Sequence, residues 1–270
     1  MKKFFSMILF SQLLLQLITQ KAMASSLWPV TGKILKRTNL TSHMFRLSVQ
    51  IHQPHLFGFK PAQWCFLSFR DRQARPYSVA SSFKDLESSA NVDFLISTRR
   101  AFDEIDEYGN KSLSEEFFVS KPGEDVCLSG PMGHPFRCPK DKSKNLVFVA
   151  KGSGAGPVIS ILESIGSDPD YQDLASHIHL IFLDHKDSPE HDLYELFNSY
   201  SRQIPDFSWQ LIRRDRYQGQ FDSVCDEIKE SKVFSEPSLI YVSGSPKLTS
   251  DLKKSLKSLP SEHSVYGEFY

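Results

Sequence analysis

Apolar and polar positions change rhythm once along this chain. Up to about Pro139 they come as short apolar runs or partial alternation, over residues 30–35, 44–51, 63–69, 92–97 and 125–129. Side chains in a strand alternate between faces, so a period near two reads as a strand with one face buried. Pro54, Gly58 and Pro61 punctuate a loop, Pro122-Gly123 marks a turn, and residues 130–135 are rich in turn formers. Several short strands separated by turns predict an antiparallel β-barrel. One helical insert interrupts it at residues 112–119, with Ser112 or Ser114 as the cap and Glu115 and Glu116 in the favourable first turn.

A polar stretch, Pro139-Lys-Asp-Lys-Ser-Lys-Asn145, separates this half from the next. Beyond it, all-apolar strands at 146–150, 179–183, 209–212 and 238–243 alternate with helices at 158–165, 190–199, 222–232 and 248–259. Strands apolar on both faces need helices on both sides of a parallel sheet. The expected organisation is therefore a β-barrel domain over residues 27–140 and an α/β Rossmann-like domain over 145–270.

Composition narrows the classes. Basic and acidic residues balance at 32 each, which gives no footprint for a nucleic acid. Cys65, Cys127, Cys138 and Cys225 are scattered without metal-ligand spacing; their number allows disulfides, but a core of this size can fold without them, which favours buried thiols. The histidines lack ligand spacing as well, and no metal is assigned. Residues 1–26 stand apart: Lys2-Lys3, a short apolar run and Ala22-Met23-Ala24 read as a signal peptide, a short membrane anchor, or an extension ahead of a start at Met23.

Three stretches carry chemistry. Arg75-Pro76-Tyr77-Ser78 sets a cation and a flat ring on one face of an extended segment, which suits either an edge strand or a clamp for a charged, planar ligand. Lys151-Gly152-Ser153-Gly154-Ala155-Gly156-Pro157 joins a parallel strand to a helix. Glycines there let an anion approach the helix N-terminus, and a strand's carboxyl end is where such sites lie. Ser243-Gly244-Ser245-Pro246 follows the last of those strands at the same sheet edge. Gly109-Asn-Lys111-Ser112 offers either a phosphate cradle or an ordinary helix cap. Asp184–Asp187 and Arg213–Arg216 follow two further strands, as solvated loops or as neighbours of a ribose.

Taken in order, these stretches make residues 30–270 resemble the ferredoxin–NADP reductase superfamily, which includes cytochrome b5 reductase-like and oxygenase reductase-like flavoproteins. Arg75-Pro-Tyr-Ser78 is similar to the family's Arg-x-Tyr-Ser flavin motif, and Gly109-Asn-Lys-Ser112 to its Gly-x-x-Ser motif. Gly130-Pro-Met-Gly-His-Pro-Phe136 resembles the end of its flavin domain. Gly152-Ser-Gly-Ala-Gly-Pro157 resembles its nicotinamide turn, Tyr241-Val-Ser-Gly-Ser-Pro246 its Cys-Gly-x-Pro segment, and Glu268-Phe-Tyr270 its aromatic C-terminus.

The resemblance implies FAD and NAD(P)H as cofactors. Arg75 would pair with the flavin pyrophosphate, with Pro76 and Tyr77 against the ring and Ser78 near N5. Gly109, Lys111 and Ser112 would take phosphates, and Gly152, Ser153, Gly154, Pro157 and Gly244 would line the dinucleotide crevice. Ser78, Ser245 and Glu268 would serve hydride transfer, and Phe269 or Tyr270 would cover the flavin's other face; Asp184 would favour the free ribose of NAD, whereas Arg214 or Arg216 would meet a 2′-phosphate. Electrons would pass to a separate ferredoxin, flavodoxin, cytochrome, oxygenase component or small acceptor. Lys151 and Ser243 depart from the pattern, the first adding bulk beside the nicotinamide path. That departure supports an alternative, a catalytically impaired flavin-binding regulatory or interaction protein. A reductase needing NAD(P)H belongs in the cytoplasm, attached to the membrane through residues 1–26; export is the alternative.

Overall fold

The computed structural model describes residues 29–98, 112–136, 144–165, 167–171, 177–185, 192–214, 226, 228, 236–256 and 263–269, without the side chains of 185, 214 and 267–269. Its first sheet contains β1 (Val30–Asn39), β2 (Met44–Ile51), β3 (Trp64–Ser68), β4 (Arg75–Ser78), β5 (Asn91–Ser97) and β6 (Asp125–Met132). The spatial order is β4-β3-β6-β1-β2-β5, and every pairing is antiparallel. The two edges then meet. Val79, just past β4, bridges Phe94 of β5, and the Ala80 amide donates to the Asp93 carbonyl at 2.7 Å. That closure turns the sheet into a barrel and leaves few unpaired backbone groups at its rims.

The barrel core holds Phe45, Leu47, Val49 and Ile51 of β2 with Val92, Phe94 and Ile96 of β5. The other face of β2 is largely covered too: Met44 packs into the core of the second domain and Ser48 is buried, with Gln50 exposed at the end. Double coverage explains why β2 alternates only partly in hydropathy. Two short helices flank the barrel, α1 (Phe83–Ser89) and α2 (Leu113–Val119). Each starts with a reciprocal capping box, Ser82 with Asp85 and Ser112 with Glu115. The sequence reading missed α1. It also treated residues 130–135 as turn, whereas β6 runs on through Met132.

The second sheet is parallel throughout: β7 (Asn145–Lys151), β8 (Ile178–His185), β9 (Phe207–Arg214), β10 (Ser238–Gly244) and β11 (Ser264–Phe269), in the order β11-β10-β7-β8-β9. The helices α3 (Ala155–Ile165), α4 (Asp192–Gln203) and α5 (Pro246–Leu256) cover it. Alternate residues of β7 feed opposite layers. Leu146, Phe148 and Ala150 join the core under α3 and α4, and Val147 and Val149 join Leu248, Leu252 and Leu256 of α5. The helix expected over 222–232 falls almost wholly outside the described residues. Strand β11 was not anticipated; its parallel pairing with β10 defines it.

Besides the barrel core, one hydrophobic cluster draws on both sheets. Leu40, Met44, Ala80, Leu95 and Phe136 from the barrel side pack in the same cluster as Phe148, Val158, Ile159 and Leu162. Phe136 meets Tyr241 of β10 edge-on at 4.9 Å.

Candidate functional site

The chain leaves β7 for β8 on one side and later returns to place β10 on the other. The carboxyl ends of β7 and β10 therefore flank a topological switch point, where the loops part and open a crevice. Two turns line it. Gly152 has φ +57°, a left-handed backbone, and a β-carbon there would meet nothing within 4 Å, so the turn faces open space. Gly154 is the reverse case. A β-carbon on it would stand 2.6 Å from the Ser243 carbonyl oxygen and 2.9 Å from Gly244 Cα, so the two turns touch backbone to backbone. Ser153 beside them is half-buried, and Pro157 is buried in the first turn of α3. Ser243 is 5% exposed, and its hydroxyl has no hydrogen-bond partner among the described residues.

Ser245 caps α5: its Oγ accepts from the Leu248 amide at 3.3 Å, and its carbonyl accepts from Thr249 at 2.9 Å. Neither α3 nor α5 carries an acidic residue in its first turn, whereas α1, α2 and α4 all do. The positive ends of these two helices thus carry no carboxylate of their own first turns.

The Arg75–Ser78 segment is the edge strand β4, paired with β3 so that Tyr77 opposes Cys65 and Ser78 opposes Trp64. Arg75 and Pro76 are exposed, Tyr77 is half-buried, and Ser78 turns inward and is buried. Tyr77 is fixed at both ends. Its hydroxyl shares a hydrogen bond with Ser114 Oγ of α2 at 3.0 Å, and its ring meets Phe117 edge-on at 5.8 Å. Burial pushes the Tyr77 phenol up to about 12, while the Ser114 bond and the nearby charge of Arg75 oppose that rise. Tyr77 therefore stays neutral, a flat wall beside a cation.

Ser112 is the α2 cap. Its Oγ accepts from the Glu115 amide at 3.3 Å, and its own amide donates to Glu115 Oε2 at 2.9 Å. The Ser112 amide is engaged within the box, while its hydroxyl, which accepts there, keeps an O–H to donate.

These two sets of residues come together. The amino end of α3 packs on the barrel at Gly156, where a β-carbon would lie 3.5 Å from Ser78 Cβ and 3.8 Å from Ala80 Cβ. Deeper along α3, Ser160 Oγ donates to the Ser81 carbonyl at 2.8 Å, and Arg46 of β2 pairs with Glu163 at 2.8 Å. Asp184 and Arg213 are not loop residues: they lie next to last in β8 and β9 as register partners. Tyr194 of α4 donates to Asp184 Oδ2 at 2.7 Å, and Arg213 lies 5.7 Å from the centre of the Tyr194 ring. Arg214, Glu268 and Phe269 lie in β9 and β11, with side chains outside the described set, as are Gly109, Lys111, Arg216 and Tyr270 entirely. Sequence reasoning missed Ser114 and Phe117, which hold Tyr77; their placement on an α2 face toward β4 carried no local signal.

No family model matches the chain. It is 29% identical over 133 residues to the reductase component of the naphthalene 1,2-dioxygenase system of Pseudomonas putida, a match covering 49% of this chain and 36% of that protein. It is 34% identical over 99 residues to the chloroplastic ferredoxin–NADP reductase of Spinacia oleracea, covering 34% of this chain and 26% of the relative. The matched segments thus span about a third or less of these curated relatives. Among solved structures, ferredoxin–NADP+ reductase from Plasmodium falciparum superposes with a TM-score of 0.68 at 22% identity, covering 90% of this chain and 96% of the other. The likeness to this solved structure shows a shared fold. The barrel followed by a parallel five-stranded sheet is the fold of the ferredoxin–NADP reductases. A ferredoxin–NADP+ reductase from Neisseria gonorrhoeae, solved with bound FAD and NADP, gives 0.64 at 16% identity over 89% of this chain and 98% of its own.

Proposed function

We propose that this chain is an FAD-dependent oxidoreductase that takes electrons from NAD(P)H and passes them to a separate acceptor. The observation that carries the reading is the meeting of Gly156 with Ser78, which brings the β4 segment and the β7 crevice to one place. The residues fit a flavin dinucleotide by their chemistry: an exposed cation at Arg75, a neutral and immobilised ring at Tyr77, and a buried hydroxyl at Ser78. When bound, the flavin supplies the two-electron and one-electron chemistry. Arg75 pairs with its phosphates, Tyr77 gives one wall for its ring, and Ser78 offers a hydrogen bond from the seam. The crevice fits a nicotinamide dinucleotide through the open left-handed turn at Gly152, the helix ends without first-turn acids and the unpartnered Ser243 hydroxyl. Burying that hydroxyl without a partner costs free energy that a hydrogen-bonding ligand would recover.

The acceptor in this reading is a ferredoxin, a cytochrome or an oxygenase component. The relatives' names support that class: one serves a dioxygenase system, and another is the reductase component of an alkene monooxygenase system in Xanthobacter autotrophicus. The place of action in this reading is the cytoplasmic side of a membrane, reached through residues 1–26. Fractionation of cells expressing the full chain, with protease added outside, tests that part.

Anaerobic titration of purified protein with NADH and NADPH tests the rest. A yellow protein whose flavin absorbance bleaches with either nucleotide is the expected result. A folded protein that neither carries nor rebinds FAD overturns the reading. Flavin retained without bleaching by either nucleotide would select a regulatory or interaction protein of the same fold.

A further inference from the structure

We infer that Lys151 holds the diphosphate bridge of the dinucleotide, an inference that rests on the nucleotide-binding reading above. The argument comes from strand order. A dinucleotide lying across the carboxyl ends of the parallel strands spreads its two nucleosides along the series β11-β10-β7-β8-β9. Ser243 and Gly244 close β10 with Ser245 just beyond, and Asp184 and Arg213 lie next to last in β8 and β9, on the other side of β7. Between them stands β7, next to β10 on one side and to β8 on the other, and neighbouring strands lie about 4.8 Å apart. The diphosphate joins the two nucleosides, so it passes over the end of β7. Lys151 is the last residue of that strand, in register with Leu183 of β8 and directly before the open turn at Gly152.

The side chain leaves the sheet in the right place. Lys151 Cβ lies 3.8 Å from the position a β-carbon on Gly244 would take, so its stem starts between the β7 and β10 turns, and it is half-buried. Strand alternation puts it on the same face as Val147 and Val149, toward α5. A lysine there joins two helix amino ends that lack first-turn acids. Lys151 and α5 lie on one face of the sheet and α3 on the other, and all three reach its carboxyl edge, where a doubly charged diphosphate matches their positive character. Bulk that would hinder a neutral group is offset when the ligand at that point is an anion.

The experiment uses the full flavin-bearing chain and ADP-ribose, which keeps the diphosphate and lacks the nicotinamide, with Kd measured by calorimetry at several salt concentrations. Loss of one charge-assisted contact predicts that Lys151→Ala weakens ADP-ribose by about tenfold to a hundredfold. The variant also shows a shallower dependence on salt, Lys151→Arg restores affinity to within about threefold, and both variants keep flavin content and thermal midpoint. ADP-ribose bound equally well or more tightly by Lys151→Ala overturns the inference, as does an unchanged salt dependence. A parent protein that holds flavin but binds neither ADP-ribose nor NAD(P)H fails at the nucleotide reading itself, and the inference falls with it.

Discussion

Gly156 on α3 and Ser78 at the end of β4 face each other across the domain seam, with room for one methyl group and no more. A β-carbon at position 156 would find its nearest neighbour, Leu95 Cβ, at 3.4 Å, an ordinary contact; at position 154 it would find the Ser243 carbonyl at 2.6 Å. Two substitutions of the same size should therefore differ sharply. Gly156→Ala should leave stability unchanged or raise it by up to about 1 kcal/mol through helix propensity. Gly154→Ala must push the β10 turn away, lowering the thermal midpoint and weakening nucleotide binding. Melting curves and NAD(P)H titrations of the two variants make the comparison, and equal behaviour would refute the backbone contact as the reason for glycine at 154.

The Arg46 cluster is the polar fastening of the same seam. Arg46 of the barrel contacts Asp93 of β5 and Glu163 of α3, and Tyr200 of α4 donates to the same Glu163 oxygen at 2.8 Å. Burial opposes the Arg46 charge, but Glu163 and Asp93 outweigh it and hold the guanidinium firmly protonated. Removing the cation alone strands two largely buried carboxylates, and breaking a buried pair in this way costs about 3–5 kcal/mol. Arg46→Met should lose roughly that much in urea unfolding. The triple variant with Glu163→Gln and Asp93→Asn should recover part of it. A loss below about 1 kcal/mol would mean the cluster is solvated like a surface pair.

His179 gives the protein an acid-sensitive element away from the crevice. Its ring is buried near the amino end of β8, where Nδ1 and His177 Nε2 both contact Ser208 Oγ, at 2.7 and 2.6 Å. Burial, with help from the neighbouring His177 charge, drops its pKa to about 4, from an ordinary 6.5. The depressed value means the fold favours the neutral ring. Its contribution is complete above pH 6.5 and is lost as the pH falls through 4. The expected loss over that window is on the order of 3 kcal/mol. Unfolding free energies of His179→Gln between pH 4 and 7 should show a flatter slope than the parent's, and an identical slope would remove His179 as its source.

The α2 cap separates a structural role from a ligand role. Ser112→Ala should cost about 1 kcal/mol, the usual worth of such a cap, and Ser112→Asn should restore most of it. Flavin affinity that follows stability through both variants would make Ser112 a cap alone. Flavin affinity lost in both while Ser112→Asn is stable would give the hydroxyl a phosphate to hold.

What the chain discloses in sequence follows from how locally each element is determined. Strands β7, β8 and β10 are apolar on both faces because helices cover both, so they stood out without any tertiary knowledge. Helix α1 did not, since only Leu86 of its seven residues is buried and no apolar stripe forms; the Ser82 and Asp85 box was the one available signal. Strand β11 is short and contains Gly267, and β10 beside it determines its conformation. The same division holds at the site. Arg75, Tyr77 and Ser78 were recognisable as a motif, but the hold of Ser114 and Phe117 on Tyr77 depends on α2 packing against β4. Asp184 looked like a free acid until Tyr194, ten residues along and on another element, proved to bond it.

The cluster that joins Leu95 and Phe136 to Phe148 and Leu162 has a consequence for how the molecule comes apart. Domains separated by a wet interface melt independently, each with its own transition. Here the barrel cannot open beside α3 without exposing the α/β interior, so the two halves should lose order in one cooperative step. A ligand held at either end then raises the melting temperature of both, and calorimetry would record the whole described body as a single thermodynamic unit.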